Sequence, residues 1–262
     1  MSGLVSEYKA LTTNQTRSLQ QAASQPQAAR EIAYFKANIG SIKTVDQFVS
    51  NTRLFNFAMQ AYGLQDMAYA KAFMKKALNG GVSSNDSFAN KLSDSRFRNF
   101  VSAFNFAAKG ASTTSSSTLV SDTVSKYTEN ALEQQAGNTS DGLRLALNFK
   151  AQIGSVSSIY GILGNAALYQ VVRTTLGLPQ AMSSVDIDKQ AKIIGDKFSL
   201  ADMKDPKKLD AFVTRFVATY DMQNSSTDSS SSNSVVSLYT SGATGIDSNT
   251  LLALQSIKRF GS

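Results

Sequence analysis

No cysteine, histidine or tryptophan occurs anywhere in the 262 residues. The first absence removes disulfides, thiolate nucleophiles and thiolate-bound metals. The second removes imidazole acid–base chemistry, the Ser-His-Asp triad and most transition-metal sites. An enzyme built from this chain would have to work with Asp, Glu, Lys, Arg, Ser, Thr and Tyr alone. Proline is scarce as well, with only Pro26, Pro179 and Pro206, so long helices meet few interruptions. Nor does any apolar run approach the roughly 18 residues that a membrane span needs. The N-terminal MSGLVSEYKALTTNQTRSLQQAAS carries no apolar core of the kind a cleaved secretory signal requires. The expectation is a chain with no cleaved signal peptide and no transmembrane segment, for which export by an uncleaved N-terminal signal stays open.

Phosphate-binding and nucleophile motifs are missing too: there is no P-loop, no GxGxxG and no GxSxG. The net charge is +7, from 26 basic and 19 acidic residues. The basic residues are dispersed, however, and the longest clusters are the pairs Lys75-Lys76, Lys207-Lys208 and Lys258-Arg259. That distribution reads as a solvated, mildly basic surface rather than a nucleic-acid footprint.

What the chain does have is hydrophobic periodicity and internal repetition. FKANIGSI at 35–42 returns as FKAQIGSV at 149–156, an offset of 114 residues. At that offset 14 of the 45 positions from Gln20 to Leu64 are identical, among them Arg30/Arg144, Asn51/Asn165, Gly63/Gly177 and Leu64/Leu178. Further on the register drifts, yet FVSAF at 100–104 answers FVTRF at 212–216, preceded by Asp94 and Asp205. Such self-similarity is the mark of a duplicated unit.

Within each copy the apolar residues recur at helical spacing, as in Leu54, Phe55, Ala58, Ala61 and Tyr62, or Leu209, Phe212, Val213, Phe216 and Tyr220. Gly63 and Gly177 stand where a helix C-cap belongs, and Asp205-Pro206 reads as an N-cap followed by first-turn proline. Gly40 and Gly154 are expected to turn the chain in the left-handed conformation between helices. SVVSLYT at 234–240 is the best strand candidate.

Two Ser-rich stretches, GASTTSSSTLVS at 110–121 and QNSSTDSSSSNS at 223–234, are too polar and small to bury much surface. The predicted organisation is therefore all-α. It comprises a helical N-terminal segment over 1–19, helical repeat unit 1 over 20–109, a Ser/Thr-rich linker over 110–121 and helical repeat unit 2 over 122–222. A Ser-rich loop over 223–234 and a tail over 235–262 complete it, the tail carrying an amphipathic helix in IDSNTLLALQSIKRF, 246–260.

Candidate sites are few. Ser6 and Lys9 form an SxxK in a polar segment, a poor setting for a desolvated nucleophile. Asp186 and Asp188 point to different helical faces, which suits capping better than paired-carboxylate chemistry. Phe97, Phe100, Phe104 and Phe106 have the spacing of a core stripe more than of a base-stacking platform. No catalytic, cofactor-binding or metal residue is assigned, and no cofactor is expected.

The chain resembles a family of alphaproteobacterial proteins, a domain of unknown function whose genes often lie within flagellar gene clusters. The residues that carry the resemblance run EIAYFKANIGSIKTVDQFVSNTRLFNFAMQAYGLQDMAYAKAFMKKAL from Glu31 and FANKLSDSRFRNFVSAFNF from Phe88. In the second half they run TLGLPQAMSSVDIDKQAKII from Thr175 and DPKKLDAFVTRFVATYD from Asp205. The resemblance implies a flagellar context in a bacterium and no catalytic residues. The expected function is thus that of a non-enzymatic, flagellum-associated structural or accessory protein. It would act through association with flagellar proteins or with itself, without small-molecule substrate or membrane insertion, in the flagellum if exported. The alternatives are a cytoplasmic flagellar assembly factor or chaperone, and a basic nucleic-acid-binding regulator.

Overall fold

The structure is a computed structural model that describes residues 3–225. The expected strand at 234–240 and the tail helix at 246–260 lie outside the described residues. Of the described residues, 3–221 form one compact unit. As the periodicity predicts, the described part is all-α, with short 3-10 turns between helices.

In chain order the helices are α1 (Gly3–Thr13), α2 (Gln15–Ser24), α3 (Pro26–Asn38), α4 (Val45–Ser50) and α5 (Thr52–Ala61). Next come α6 (Lys71–Gly80), α7 (Ser95–Ala103), α8 (Phe106–Lys109) and the long α9 (Ser117–Thr139). Then follow α10 (Asp141–Gln152), α11 (Ile159–Leu163), α12 (Ala166–Thr175), α13 (Ile187–Gly195) and α14 (Pro206–Ser225).

Local geometry recurs at the offset seen in the sequence. α5 and α12 begin on capping asparagines: Asn51 Oδ1 accepts from the Leu54 amide at 3.1 Å, and Asn165 Oδ1 from the Leu168 amide at 3.2 Å. Both helices end in Schellman turns. The Leu64 amide reaches back to the Met59 carbonyl at 2.8 Å and the Leu178 amide to that of Arg173 at 2.9 Å. Gly63 (φ 67°) and Gly177 (φ 66°) hold the left-handed positions, as their C-cap placement predicts.

Gly40 and Gly154 do not. Each lies in a 3-10 turn, Ile39–Ser41 or Ile153–Ser155, and neither has positive φ. The preceding helix tightens into 3-10 geometry and the chain leaves through extended Ile42 or Val156, so no left-handed residue is needed. The joint is real, but glycine freedom does not make it.

The 110–121 segment is a second correction. It is not a linker: Gly110–Ser115 form a 3-10 turn and Ser116 caps α9, accepting from the Leu119 amide at 3.3 Å. Thr113 and Thr114 are buried, and the Thr114 hydroxyl donates to the Ile42 carbonyl at 2.5 Å. Tertiary partners satisfy small polar side chains that composition alone reads as unstructured. The Ser-rich loop predicted for 223–234 is helical at its start, where α14 runs on to Ser225; the rest is outside the described residues.

Two hydrophobic clusters fill the unit. The first is strongly aromatic: Phe48 packs on Phe55, Phe100, Phe104 and Phe106, and Phe57 stacks between Phe35 at 4.3 Å and Tyr127 at 4.0 Å. The stripe Phe97, Phe100, Phe104 and Phe106 is core, as its spacing predicts. The second cluster is more aliphatic, drawn mainly from Leu143 to Val217. Two elements cross between the halves. α1, first in the chain, buries Val5 and Tyr8 in the second cluster, where Lys9 pairs with Asp210 at 2.6 Å. α9 places Leu119 and Tyr127 in the first cluster and Ala136 in the second.

Candidate functional site

A polar cleft of about 430 Å³ opens beside the middle of α9. Helical spacing of three or four residues sets Lys126, Glu129, Asn130 and Glu133 on one face of that helix. α10 contributes Asn148 and Gln152, one turn apart, and α7 contributes Arg96. The same polar residues continue into a second recess bounded by Asp66, Arg144 and Asn165.

Capping and pairing fix most of these side chains. Asp94 caps α7, accepting from the Arg96 amide at 2.9 Å, and also grips the Arg96 guanidinium at 2.6 Å. Arg96 Nη1 donates in turn to the Gly63 carbonyl, so the left-handed turn after α5 helps anchor this cation. Asn165, while capping α12, donates through Nδ2 to Gln152 Oε1 at 3.0 Å. Gln134 Nε2 donates to Asn130 Oδ1 at 3.0 Å.

At the back of the cleft sits Glu133, only 7% exposed, whose Oε2 accepts from Asn148 Nδ2 at 3.0 Å. Burial pushes its carboxyl up to about 7, and repulsion from Glu129 acts the same way. The Asn148 hydrogen bond and the charge of Arg144 pull against them. No cation forms a salt bridge with Glu133 among the described residues. Asn148 Oδ1 is buried without a hydrogen-bond partner. Among the described residues no group of three or more metal-ligating side chains is placed to hold a metal ion. The arrangement is a carboxyl near its titration point amid amides, a setting for recognition of a hydrogen-bonding group.

None of the candidate site residues named from the sequence lies in this cleft, although the C-cap glycine Gly63 borders it. Lys9 of the SxxK is paired with Asp210. Asp186 caps α13, accepting from the amides of Asp188 and Lys189, and Asp188 accepts from the Tyr160 hydroxyl at 2.8 Å. The basic pairs are partly neutralised: Lys75 meets Asp46 and Lys208 meets Asp202, each at 2.6 Å. One signal for the cleft was present. At the 114-residue offset Glu133 and Asn148 stand opposite Leu19 and Tyr34, so polar residues occupy positions that are largely apolar in the other copy.

A family profile described as "Protein of unknown function (DUF1217)" matches residues 61–209. The chain belongs to the DUF1217 family. That span runs from the end of α5 through the start of α14 and so includes Glu133, Asn148 and Arg96. No curated protein matches the sequence. Among solved structures, this DUF1217 chain is similar to the crystal structure of a protein from Agrobacterium tumefaciens. The two are 39% identical with a TM-score of 0.77, over 84% of this chain and 93% of the other. Among the described residues no helix is long and apolar enough to cross a membrane.

Proposed function

We propose that this protein is a non-enzymatic, flagellum-associated structural or accessory protein that works by binding other proteins. The observation that carries association is three exposed apolar side chains, Tyr160 on α11, Val185 just before α13 and Ile187 at its start. Tyr160, Val185 and Ile187 are 46%, 39% and 54% exposed, and the hydrogen bond from Tyr160 to Asp188 holds α11 against the first turn of α13. Isolated exposed apolar residues are ordinary, but a neighbouring set on packed elements has the character of an association surface. The flagellar setting rests on the sequence resemblance to proteins encoded in flagellar gene clusters.

Deletion of the gene is expected to impair swimming or filament assembly, and wild-type swimming with intact flagella would overturn the reading. A Val185→Ser, Ile187→Asp double variant, which leaves the Tyr160–Asp188 bond in place, is expected to lose the flagellar partner captured by the wild-type protein while keeping its melting temperature. Recovery of the protein in purified flagella would mark an exported component; recovery only in the cytosol would mark an assembly factor.

A further inference from the structure

Two buried acceptors in the cleft beside α9, on Glu133 and Asn148, are short of hydrogen-bond donors. Glu133 Oε2 receives one, from Asn148 Nδ2. Asn148 Oδ1, on a side chain 8% exposed, receives none among the described residues. The fixed cations nearby are committed elsewhere: Arg96 to Asp94 and the Gly63 carbonyl, Arg144 to Asp141 at 2.6 Å. Lys126 stands exposed at the mouth, its ammonium 5.6 Å from the Tyr62 ring centre. A carboxyl withdrawn from water with no counter-charge in contact is costly unless something supplies one.

We propose that this cleft binds a small cationic group rich in N–H donors, a primary ammonium or a guanidinium, seated against Glu133 and Asn148. The volume of about 430 Å³ admits a group of that size. The acceptors converge from two helices, Glu133 from α9 and Asn148 from α10. A neutral polyol also brings donors but leaves the carboxylate charge unmatched. The charged groups lining the cleft and its second recess with Glu133 are Lys126 and Glu129 on its own helix, Arg144 on α10, Arg96 on α7, itself paired with Asp94, and Asp66 in the turn after Gly63. The bound cation favours the ionised carboxylate, so binding displaces a proton from a group that titrates near 7, and affinity rises with pH across that range. The cation comes either from a free amine or from a Lys or Arg side chain of a partner protein.

The test titrates the isotopically labelled full-length chain with n-butylammonium, methylguanidinium and glycerol while side-chain amide resonances are followed by NMR. Saturable shifts at Asn148, Asn130 and Gln152 are expected with either cation at about pH 8, and about tenfold weaker binding at about pH 6. Glu133→Gln should weaken binding by a similar factor, its backbone spectrum reporting that the fold is intact. The pH comparison on the wild-type chain does not depend on any variant folding. A short Lys-containing peptide that binds more tightly than n-butylammonium, and loses that advantage on Lys acetylation, assigns the cation to a protein partner. A peptide that binds no better assigns it to a free amine. Absence of saturable shifts with both cations, shifts that glycerol reproduces, or affinity unchanged by pH and by Glu133→Gln would each overturn the proposal.

Discussion

Carried from water to the seam between α9 and α10, the Glu133 carboxyl titrates near 7, well above its ordinary value, chiefly because burial disfavours its charge. The folded state therefore holds this proton more tightly than the unfolded chain does. The associated stability is fully present below about pH 4.5 and is lost as pH rises through about 7. The loss at higher pH is of order 3 kcal/mol before any relaxation. Glu133→Gln keeps an acceptor for Asn148 without the charge. It is expected to raise the melting temperature at about pH 8 and to flatten the melting curve's pH dependence between about 5 and 8; an unchanged pH profile would show that Glu133 is not desolvated. The glycines make a second residue-scale contrast. A β-carbon at Gly40 or Gly154 meets nothing within 4 Å, and φ is not positive. Gly40→Ala and Gly154→Ala are thus expected to leave stability nearly unchanged. At Gly63 and Gly177 φ is positive, and alanine there should cost about 1 kcal/mol or more, read as denaturation midpoints. A Gly142→Ala change drives a methyl to 2.5 Å from the Tyr220 ring, and about 1–3 kcal/mol is expected for that overpacking.

Among the elements, α1 shows how far local sequence falls short of placement. Its helicity follows from composition and periodicity, yet its partner is the second hydrophobic cluster, with Tyr8 fully buried there. Tyr8→Ala is expected to cost about 3–5 kcal/mol by chemical denaturation, and a near-neutral result would mean that α1 does not dock where the structure puts it. The 110–121 segment makes the complementary case. Thr114→Val removes a buried hydroxyl donor and leaves the Ile42 carbonyl without it, for an expected loss of about 1–3 kcal/mol. An unstructured linker would tolerate the same change without effect.

For the whole molecule, α9 is the member common to both clusters. Tyr127 sandwiches Phe57 against Phe35 at one end, and Ala136 joins Leu143 and Phe149 at the other. With α1 crossing from the start of the chain into the second cluster, neither half retains a complete core without the other. Residues 3–221 are expected to unfold in one cooperative transition, with tyrosine fluorescence and helical circular dichroism coinciding; two separated transitions would overturn it. What the sequence determined by itself was the class of structure and the local grammar. Helical periodicity, the Asp205 cap and the C-cap glycines Gly63 and Gly177 all act within one or two turns, and short-range patterns report short-range forces. The polar cleft and the crossing of α1 escaped because they depend on which helix faces meet, Glu133 with Asn148 across the α9–α10 turn and Lys9 with Asp210 from opposite ends of the unit. Only the tertiary structure decided that Glu133 would be desolvated beside Asn148 and that Thr114 would find the Ile42 carbonyl. Each outcome is set by long-range packing, whose energy no window of neighbouring residues contains.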